Sequence, residues 1–470
     1  MATHTLHADY LVIGAGAAGL AFTDSLITES DAEVIIVDRR DAAGGHWNDA
    51  YPFVQLHQPS LYYGVNSMTL GDEVIEPTGR EAGMYTRATG ADIRAYFGCV
   101  MNERLVRSGQ VTFYPNCVYG GGRRFESILT GETYHVKVRK KVVDATYLSP
   151  SIPATTPPPF DVSAGVACVP VNGIADLADQ PERFVIIGAG KTAMDACVWL
   201  LEHGVDPERI QWIKPREAWV RNRRFTQSGE LVGTLLEGIA LQMESAAHAE
   251  SEDDLFARLD DAGQFRRVDE SERPTMYKSA TIAEWELELL RNIADVVRLG
   301  HVKRIERDRI VLERGVVPTK PSHLHVHCAA EGLRRPPAVP IFADDRITLQ
   351  PVRTGLIPFN AALVGFVEAH REDTIEKNRL CPPNPLPHTA LDWARTTLVQ
   401  MRADRAMSKE SDIQAWLERA RLNPMRGIRG RAGDPAVQLA SRRFAESVGP
   451  GLARLDQLVE QAGARGPGAA

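Results

Sequence analysis

The chain has 470 residues, of which 44% are hydrophobic and 24% charged, a balance typical of a globular protein with more than one domain. Its formal net charge of −7 argues against nucleic acid or an anionic membrane as a partner. The six cysteines form no C-x-x-C pair, which argues against a dithiol reductase and favours a reducing compartment. Because no signal peptide or membrane-spanning run is found, we expect a cytoplasmic protein.

The first motif is a glycine-rich turn near the start of the chain, in the sequence YLVIGAGAAGL. Gly14 permits the tight turn, Gly16 lets backbone approach a pyrophosphate, and Gly19 lets the following helix lie close to the strand. A second apolar run, over 33–37, ends on Asp38, whose carboxylate can accept hydrogen bonds from ribose hydroxyls. The order of strand, turn, helix, strand and acid predicts a Rossmann-like dinucleotide site.

The next part of the chain alternates one helix with short strands and ends in prolines. A helix is predicted over 92–106, with Thr89 as its cap. Five prolines within 149–160 indicate a stiff linker between domains. The strand patterns between helix and linker cover 111–114, 125–129, 134–139 and 142–146.

A second glycine-rich turn, GAGKTA, follows the apolar run FVII and opens another helix. Gly188, Gly190 and Ala193 take the fingerprint positions, where alanine is an accepted third residue. The next strand pattern leads into Lys214 and Arg216 instead of an acid. These cations can pair with a 2′-phosphate, so the pattern predicts an NADPH site. A solvated strand end is the alternative interpretation of the two cations.

The rest of the chain contains helical patterns and a few short strands. Residues 221–295 predict a helical insertion, either a lid or substrate wall or a plain structural subdomain. One strand pattern carries His323, His325 and His327 on one face; a partly covered strand explains them better than a metal site, and no metal is predicted. The predicted helices cover 231–243, 250–259, 280–293, 361–369, 389–406, 410–421 and 435–462, the strands 301–304, 309–313 and 323–327, and residues 462–470 are expected to be disordered.

Three short motifs between the two fingerprints point to a known family. The sequence carries GGHW at 44–47, a Tyr-Pro pair at 51–52 and Asn66 shortly downstream. With these motifs it resembles the flavin-containing monooxygenase-like family, which includes Baeyer–Villiger monooxygenases and N-hydroxylases. The resemblance implies an α/β fold with two Rossmann-like dinucleotide-binding domains, one for FAD and one for NADPH, a helical insertion and a helical C-terminal extension.

The same layout predicts the domain organisation. We expect the first segment of the FAD-binding domain over 1–150 and its second segment over 329–388. The NADPH-binding domain is expected over 151–328, with the helical insertion at about 221–295. Helices and a disordered tail are expected over 389–470.

The resemblance also implies which residues lie beside FAD. Gly45 and Trp47 would contact the cofactor, although a core aromatic is the alternative for Trp47. Thr146 ends the strand beneath FAD, where Tyr147 replaces the glycine usual in the family. Gln350 precedes a helix whose start usually faces the flavin pyrimidine ring.

The implied catalytic residues lie in the segment after the Tyr-Pro pair. Asn66 matches the family position that contacts the flavin and its C4a-hydroperoxide, while Gln58 and His57 are secondary candidates. A turn-capping role is the alternative for Asn66.

FAD and NADPH together favour a monooxygenase that inserts one oxygen atom from O2 into a small organic substrate. The family signature F-x-G-x-x-x-H-x-x-x-W/Y is missing from 167–176, so N- or S-oxygenation or hydroxylation is favoured over Baeyer–Villiger oxidation. An NADPH-dependent flavin oxidase or reductase without oxygen insertion is the alternative. The substrate and the oligomeric state stay open, a homodimer being one option.

Overall fold

Two β-sheets, the first mixed and the second parallel, organise the computed structural model, which describes residues 3–464, and each contains a glycine-rich turn that leads into a helix. Together with the helical insertion and the C-terminal helices, they confirm the predicted α/β fold class. Along the described residues, every helix is too short or too polar to span a bilayer. The predicted domain bounds stay predictions.

The first sheet has the strand order β3-β2-β1-β6-β5-β4, and β1 pairs in parallel with β2 and β6. Its elements are β1 Thr3–Ile13, α1 Ala17–Glu29, β2 Val34–Val37, α2 Gly90–Cys99, β3 Val111–Tyr114, β4 Cys117–Gly121, β5 Arg124–Ser127 and β6 Thr133–Asp144.

Two features of this sheet differ from the predicted strands. Strand β4 was not predicted, and the two strands expected over 134–139 and 142–146 form the single strand β6. Lys140 and Lys141, which separate the two predicted strands, lie where β6 shifts register against β1, between Val138 and Lys141. A bulge therefore absorbs them without ending the strand.

Helix α2 begins as predicted beside Thr89. The Thr89 hydroxyl accepts a hydrogen bond from the Asp92 N–H at 3.2 Å, and the Asp92 carboxylate accepts one from the Thr89 N–H at 2.9 Å. This reciprocal pair is a capping box. The helix continues as a π-helical turn over Val100–Leu105.

The second sheet is parallel throughout, with the order β14-β10-β9-β18-β8. It contains the second fingerprint between β9 and α3. The elements up to this point are β7 Asp161–Val162, β8 Cys168–Pro170, β9 Arg183–Ile187, α3 Lys191–Glu202 and β10 Ile210–Ile213.

The insertion contains a small sheet as well as helices. The helix predicted over 280–293 begins only at Glu284, because 276–282 forms a strand that pairs in parallel with 218–222. This pairing is long-range, so local spacing does not reveal it. The elements of this part of the chain are β11 Ala218–Asn222, α4 Val232–His248, α5 Glu252–Asp261, β12 Phe265–Arg266, β13 Met276–Ile282 and α6 Glu284–Leu290.

The chain then completes the second sheet, returns to the first and ends in helices. Strand β19 pairs with β6, and α7 packs on α1 so closely that a Cβ on Gly365 would lie 2.6 Å from the Phe22 carbonyl oxygen. Helix α8 was not predicted, while the three following helices were. The tail expected over 462–470 is helical at 462–464, because α11 continues to Ala464, and residues 465–470 lie outside the described residues. The elements are β14 Val296–Val297, β15 Val302–Ile305, β16 Arg309–Leu312, β17 Gly315–Pro318, β18 His323–His327, β19 Arg346–Thr348, α7 Ile357–His370, α8 Thr374–Leu380, α9 Ala390–Met407, α10 Ser411–Arg419 and α11 Pro435–Ala464.

The three histidines of β18 are more deeply covered than the sequence suggested. His323, His325 and His327 are all buried, and burial lowers the pKa of each. The Thr319 hydroxyl lies 2.9 Å from His325 Nε2 and 3.2 Å from His323 Nδ1. Over 3–464, no group of three or more His, Cys, Asp or Glu side chains is arranged to hold a metal ion.

Candidate functional site

In the first fingerprint, the fold itself requires glycine at positions 14 and 19, whereas position 16 has room for a side chain. Gly14 has a φ of +104°, and a Cβ on Gly19 would lie 2.0 Å from the Gly14 carbonyl oxygen. A Cβ on Gly16 would meet only the Gly45 Cα, at an ordinary 3.6 Å. Since the fold leaves space at Gly16, the glycine there suits the close approach of a ligand.

Asp38 supports the fingerprint turn from the end of β2. Its carboxylate accepts hydrogen bonds from the N–H groups of Ala15 at 2.7 Å and Arg40 at 2.9 Å, one on each oxygen. Each oxygen keeps a further lone pair, which a ribose hydroxyl can use. Asp38 therefore has a structural role in addition to its predicted contact with a ribose.

Gly45 and Trp47 lie in a short 3₁₀ helix, Gly45–Asp49, in the segment that follows β2. A Cβ on Gly45, which has a φ of +60°, would approach the Gly16 Cα to 3.0 Å. The Trp47 indole N–H donates to the Tyr63 hydroxyl at 2.8 Å, and the ring is 8% exposed. Trp47 is therefore a core residue in this structure, and its contact with a cofactor stays a prediction.

The side chains of Thr146 and Gln350 both form hydrogen bonds within the protein. The Thr146 hydroxyl donates to Asp144 Oδ1 at 2.8 Å. The Gln350 side chain forms two hydrogen bonds with the Val339 backbone, at 2.8 and 3.2 Å. Each of these side chains therefore fixes a local turn, and any contact with FAD stays a prediction.

The second fingerprint opens onto a large cavity. Gly188 has a φ of +144°, and a Cβ there would lie 2.7 Å from the Cys328 carbonyl oxygen, whereas a Cβ on Gly190 would meet no atom within 4 Å. Helix α3 begins at Lys191 without a side-chain cap, and Ala193 is fully buried. The uncapped N–H groups of the first turn can therefore bind a phosphate.

This cavity has a volume of about 1170 Å³ and is lined by widely separated parts of the chain, including residues after β18 and before α7. Residues 188–192 line it from the second fingerprint, and His57 and Gln58 line it from the first segment. The insertion and the C-terminal helices supply most of the remaining wall. Asn66 is not among the described residues that line it, so the structure brings together only two of the three predicted catalytic residues.

A group of cations lines the cavity near the carboxyl ends of the second sheet. Arg216 Nη1 lies 3.3 Å from His388 Nε2, and Arg335 pairs with Glu331 at 3.0 Å. Burial, with Arg335 and Arg216 nearby, lowers the pKa of Lys278 to about 8. Lys278 and Arg335 lie far along the chain from the fingerprint, so its local sequence could not identify them.

Lys214 does not belong to this group. Its side chain is 1% exposed, its ammonium pairs with Glu217 at 2.5 Å, and it lies 4.4 Å from the centre of the Trp212 ring. Burial lowers its pKa, and Glu217 only partly offsets this effect. Of the two cations predicted to bind a 2′-phosphate, only Arg216 lines the cavity.

A buried ionic network adjoins the second fingerprint. Arg223, 1% exposed, pairs with Glu81 at 2.7 Å and with Glu286 at 2.5 Å. Lys191 pairs with Glu286 at 3.1 Å and also with Asp195. Burial raises the pKa of Glu286, but Lys191 and Arg223 outweigh it and hold that pKa well below its usual range. The network ties the first segment and the insertion to helix α3.

Burial, with a smaller contribution from this network, sets the charge of His57. Burial, followed by the nearby Lys191, lowers the pKa of His57 to about 4. Its backbone carbonyl accepts a hydrogen bond from the Thr281 hydroxyl, which ties this segment to β13. At neutral pH the imidazole is uncharged, so it can offer one donor and one acceptor to the cavity.

The segment that carries Asn66 is held by the C-terminal part of the chain. Arg421, 5% exposed, donates to the carbonyl oxygens of Leu61 at 2.7 Å and Tyr63 at 2.6 Å. Asn66 Oδ1 accepts a hydrogen bond from the Leu422 N–H at 3.1 Å. The Asn66 NH2 group makes no hydrogen bond to the described residues and can serve as a donor. Nothing in the local sequence around Arg421 signals this role.

Comparisons with known proteins define the family. A family model for an NAD(P)-binding Rossmann-like domain matches residues 12–73. The "Uncharacterized protein Rv2000" of Mycobacterium tuberculosis is 43% identical over 458 residues, which cover 96% of this chain and 85% of that protein.

Two solved structures show weaker likeness. A flavin-containing monooxygenase from Stenotrophomonas maltophilia is 14% identical, with 77% of this chain and 97% of that chain covered and a TM-score of 0.45. A bacillithiol disulfide reductase from Bacillus cereus is 13% identical, with 78% and 100% covered and a TM-score of 0.46. Similarity at this level does not distinguish the two reactions. The identity with the mycobacterial protein does define a family, and the chain belongs to the family of Mycobacterium tuberculosis Rv2000.

Proposed function

We propose that this protein is an FAD- and NADPH-dependent monooxygenase that acts on a small organic substrate. The observation that carries the proposal is the shared cavity. His57 and Gln58, from the segment after the first fingerprint, line the same cavity as residues 188–192 of the second fingerprint. Two dinucleotide units that meet at one cavity suit hydride transfer from one cofactor to the other.

The residues of the first fingerprint fit FAD. The open space at Gly16, the uncapped start of α1 and the Asp38 carboxylate suit a pyrophosphate and a ribose. When bound and reduced, the flavin would supply the reaction with O2 that provides one oxygen atom for the substrate. The neutral His57 and the Gln58 amide would orient the reacting groups by hydrogen bonding and keep water out.

The second fingerprint fits NADPH. The start of α3 would bind the pyrophosphate, and Arg216 would bind the 2′-phosphate. Lys278 and Arg335 add positive charge to the same cavity. Lys214 takes no part in this proposal, because its ammonium is buried in the ion pair with Glu217.

An absorbance spectrum of the purified protein, followed by anaerobic addition of NADPH and exposure to air, tests the proposal. We expect a flavin spectrum that NADPH bleaches and air restores. Once a substrate is present, we expect less than one molecule of hydrogen peroxide to be released for each NADPH consumed. If all NADPH is converted to hydrogen peroxide whatever substrate is offered, the oxidase alternative is correct. The missing Baeyer–Villiger signature over 167–176 supports N- or S-oxygenation or hydroxylation over Baeyer–Villiger oxidation. The six unpaired cysteines support a cytoplasmic location.

Arg216→Ser is expected to reduce the preference for NADPH over NADH. A charge-assisted hydrogen bond to a 2′-phosphate contributes about 1.5–3 kcal/mol, roughly ten- to a hundredfold in affinity. We therefore expect the KM for NADPH to rise by that factor while the KM for NADH stays nearly unchanged. Arg307→Ser, at an exposed position outside the cavity lining, is the control. A wild-type protein that uses both cofactors equally well contradicts the assignment.

Asn66→Asp and Asn66→Ala are expected to uncouple NADPH oxidation from oxygen insertion. Aspartate keeps the acceptor for the Leu422 N–H but removes the free NH2 donor. The substitution therefore separates a role as hydrogen-bond donor to the flavin from a structural role in binding Leu422. Loss of one preorganised donor typically costs about 2.7–4 kcal/mol. We expect both variants to bleach with NADPH at near-normal rates and then release mostly hydrogen peroxide. If the Asn66→Asp variant couples NADPH oxidation to oxygen insertion as fully as the wild type, Asn66 does not act as this donor.

A further inference from the structure

One of the cations that line the cavity has no partner among the described residues. Seven arginine and lysine side chains line the cavity, and six of them contact an acceptor within 3–464: Lys191, Arg216, Lys278, Arg335, Arg353 and Arg429. The seventh, Arg221 on β11, is half-buried and forms neither an ion pair nor a side-chain hydrogen bond with the described part of the chain.

Arg221 lies beside the segment that supplies the predicted catalytic residues. In the pairing of β11 with β13 it is opposite Thr281, whose hydroxyl donates to the His57 backbone carbonyl. Burial raises the pKa of Tyr62, and the nearby charge of Arg221 partly offsets this rise. Since Tyr62, His57 and Gln58 all line the cavity, Arg221 faces the same space as they do.

Arg221 is separate from the cations assigned to the 2′-phosphate of NADPH. Burial, followed by the charges of Arg335 and Arg216, lowers the pKa of Lys278, so these three cations form one group. Arg216 precedes β11, whereas Arg221 is next to the last residue of that strand. Between them, extra residues of β13 over 278–280 form a bulge in its pairing with β11.

A guanidinium without a partner makes the cavity selective for ligand charge. A ligand that fills the cavity displaces water from Arg221, and an uncharged ligand would leave the cation without compensation. The three carboxylates that line the cavity are each paired with another arginine, so none of them is available to Arg221. A ligand carboxylate can accept two parallel hydrogen bonds from one guanidinium and balances its single charge. A phosphate monoester carries a charge of about −1.5 to −2, which one guanidinium would not balance.

We propose that the substrate is an organic monocarboxylate and that Arg221 binds its carboxylate group. This inference rests on the proposed monooxygenase function and names the chemical class of its substrate. Arg221 is then a specificity-determining residue. It fixes one end of the substrate beside the segment of His57 and Gln58, while the oxidised group lies elsewhere on the molecule.

Two probes of equal size test this proposal in the full-length protein with its bound flavin. At pH 7, 3-phenylpropanoate carries a carboxylate, whereas 3-phenylpropanamide is uncharged and has the same number of non-hydrogen atoms. With calorimetry as the measurement, we expect the carboxylate to bind roughly ten- to a hundredfold more tightly than the amide. We expect this preference to persist in saturating NADP⁺, which occupies the group of Arg216, Lys278 and Arg335. A preference that is missing, or that NADP⁺ abolishes, overturns the proposal.

Arg221→Gln removes the charge and is expected to lower the ratio of the two affinities at least tenfold. Arg221→Met removes the same charge and keeps the apolar stem, so it provides the test if the first variant fails to fold. Arg224→Gln is the matched control, because Arg224 is exposed and lies outside the cavity lining, and it should leave the ratio unchanged. A folded Arg221→Gln or Arg221→Met variant with the wild-type ratio overturns the proposal. Loss of flavin, or tenfold weaker binding of NADP⁺, in these variants would assign Arg221 to a cofactor and overturn it as well.

Failure of the carboxylate proposal and failure of the monooxygenase proposal are distinguishable. If NADPH bleaches the flavin and air restores it, but the two probes bind equally, only the carboxylate proposal fails. If the carboxylate preference is present and depends on Arg221, but NADPH bleaches no flavin, the monooxygenase proposal fails and the carboxylate site stands.

Discussion

Gly16→Val is expected to yield colourless protein, whereas Gly190→Val is expected to yield yellow protein that NADPH cannot bleach. Both residues have extended backbone, with φ of −83° and −88°, which valine adopts readily. The space around both is open, so the substitutions should not disturb the fold. The valine methyl groups would instead occupy the path of a pyrophosphate, at the first fingerprint in one variant and at the second in the other.

Absorbance spectra of the two purified variants before and after anaerobic NADPH provide the measurement. Gly19→Ala is the contrasting variant, because its Cβ would lie 2.0 Å from the Gly14 carbonyl oxygen. We expect it to lower thermal stability, which Gly16→Val and Gly190→Val should leave nearly unchanged. If Gly16→Val and Gly190→Val lose flavin to the same extent, the assignment of FAD and NADPH to the two fingerprints is wrong.

Glu286→Gln is expected to cause the largest loss of stability among single changes in the buried ionic network. The substitution keeps the shape of the side chain but leaves Lys191 and Arg223 facing an uncharged amide. Removing one partner of a buried ion pair typically costs about 3–5 kcal/mol. Glu288→Gln, on the exposed side of the same helix, should change stability by less than about 0.5 kcal/mol.

The stability deficit of Glu286→Gln is also expected to depend on pH. The pKa of Glu286 is lower in the folded state than the usual value of about 4.3 for an unfolded chain. Its contribution to stability is therefore complete above that value, declines as the pH falls below it, and is lost as the pH falls through the lower pKa of the folded state. Urea unfolding of the two variants and the wild type at pH 7 and at about pH 3, between the two pKa values, measures the difference. A deficit that is equally small in both variants at pH 7 contradicts the role given to the network.

The parts of the fold that sequence could predict are those with local causes. The fingerprint glycines are required by backbone geometry within a few residues, and the cap at Thr89 follows from a short-range pattern. Helix α7, in contrast, begins at Ile357 and not at 361 as predicted. Strand β13 was predicted in part as helix, because only its pairing with β11 distinguishes the two. Arg421 was missed for the same reason, since its partners lie some 356 to 360 positions away along the chain.

The local sequence also fails to predict which charged residues line the candidate site. Lys214 and Arg216 follow the same strand and look equivalent in sequence, yet Glu217 holds the first in a buried pair while the second reaches the cavity. Lys278 and Arg335 reach that cavity from the insertion and from the segment after β18. A sequence motif identifies a turn suited to phosphate, but the neighbouring charges depend on how distant segments pack.

The contact between Arg421 and the backbone of residues 61–65 has a consequence for biosynthesis. A ribosome releases the first fingerprint and the segment after it long before it adds Arg421 and Leu422, so the carbonyl groups of Leu61 and Tyr63 initially lack their guanidinium partner. Helix α7, which packs on α1, is also made after this segment. The nascent N-terminal unit therefore stays incomplete until Arg421 has been added, and the loop that carries Asn66 can be held in its final position only after that point.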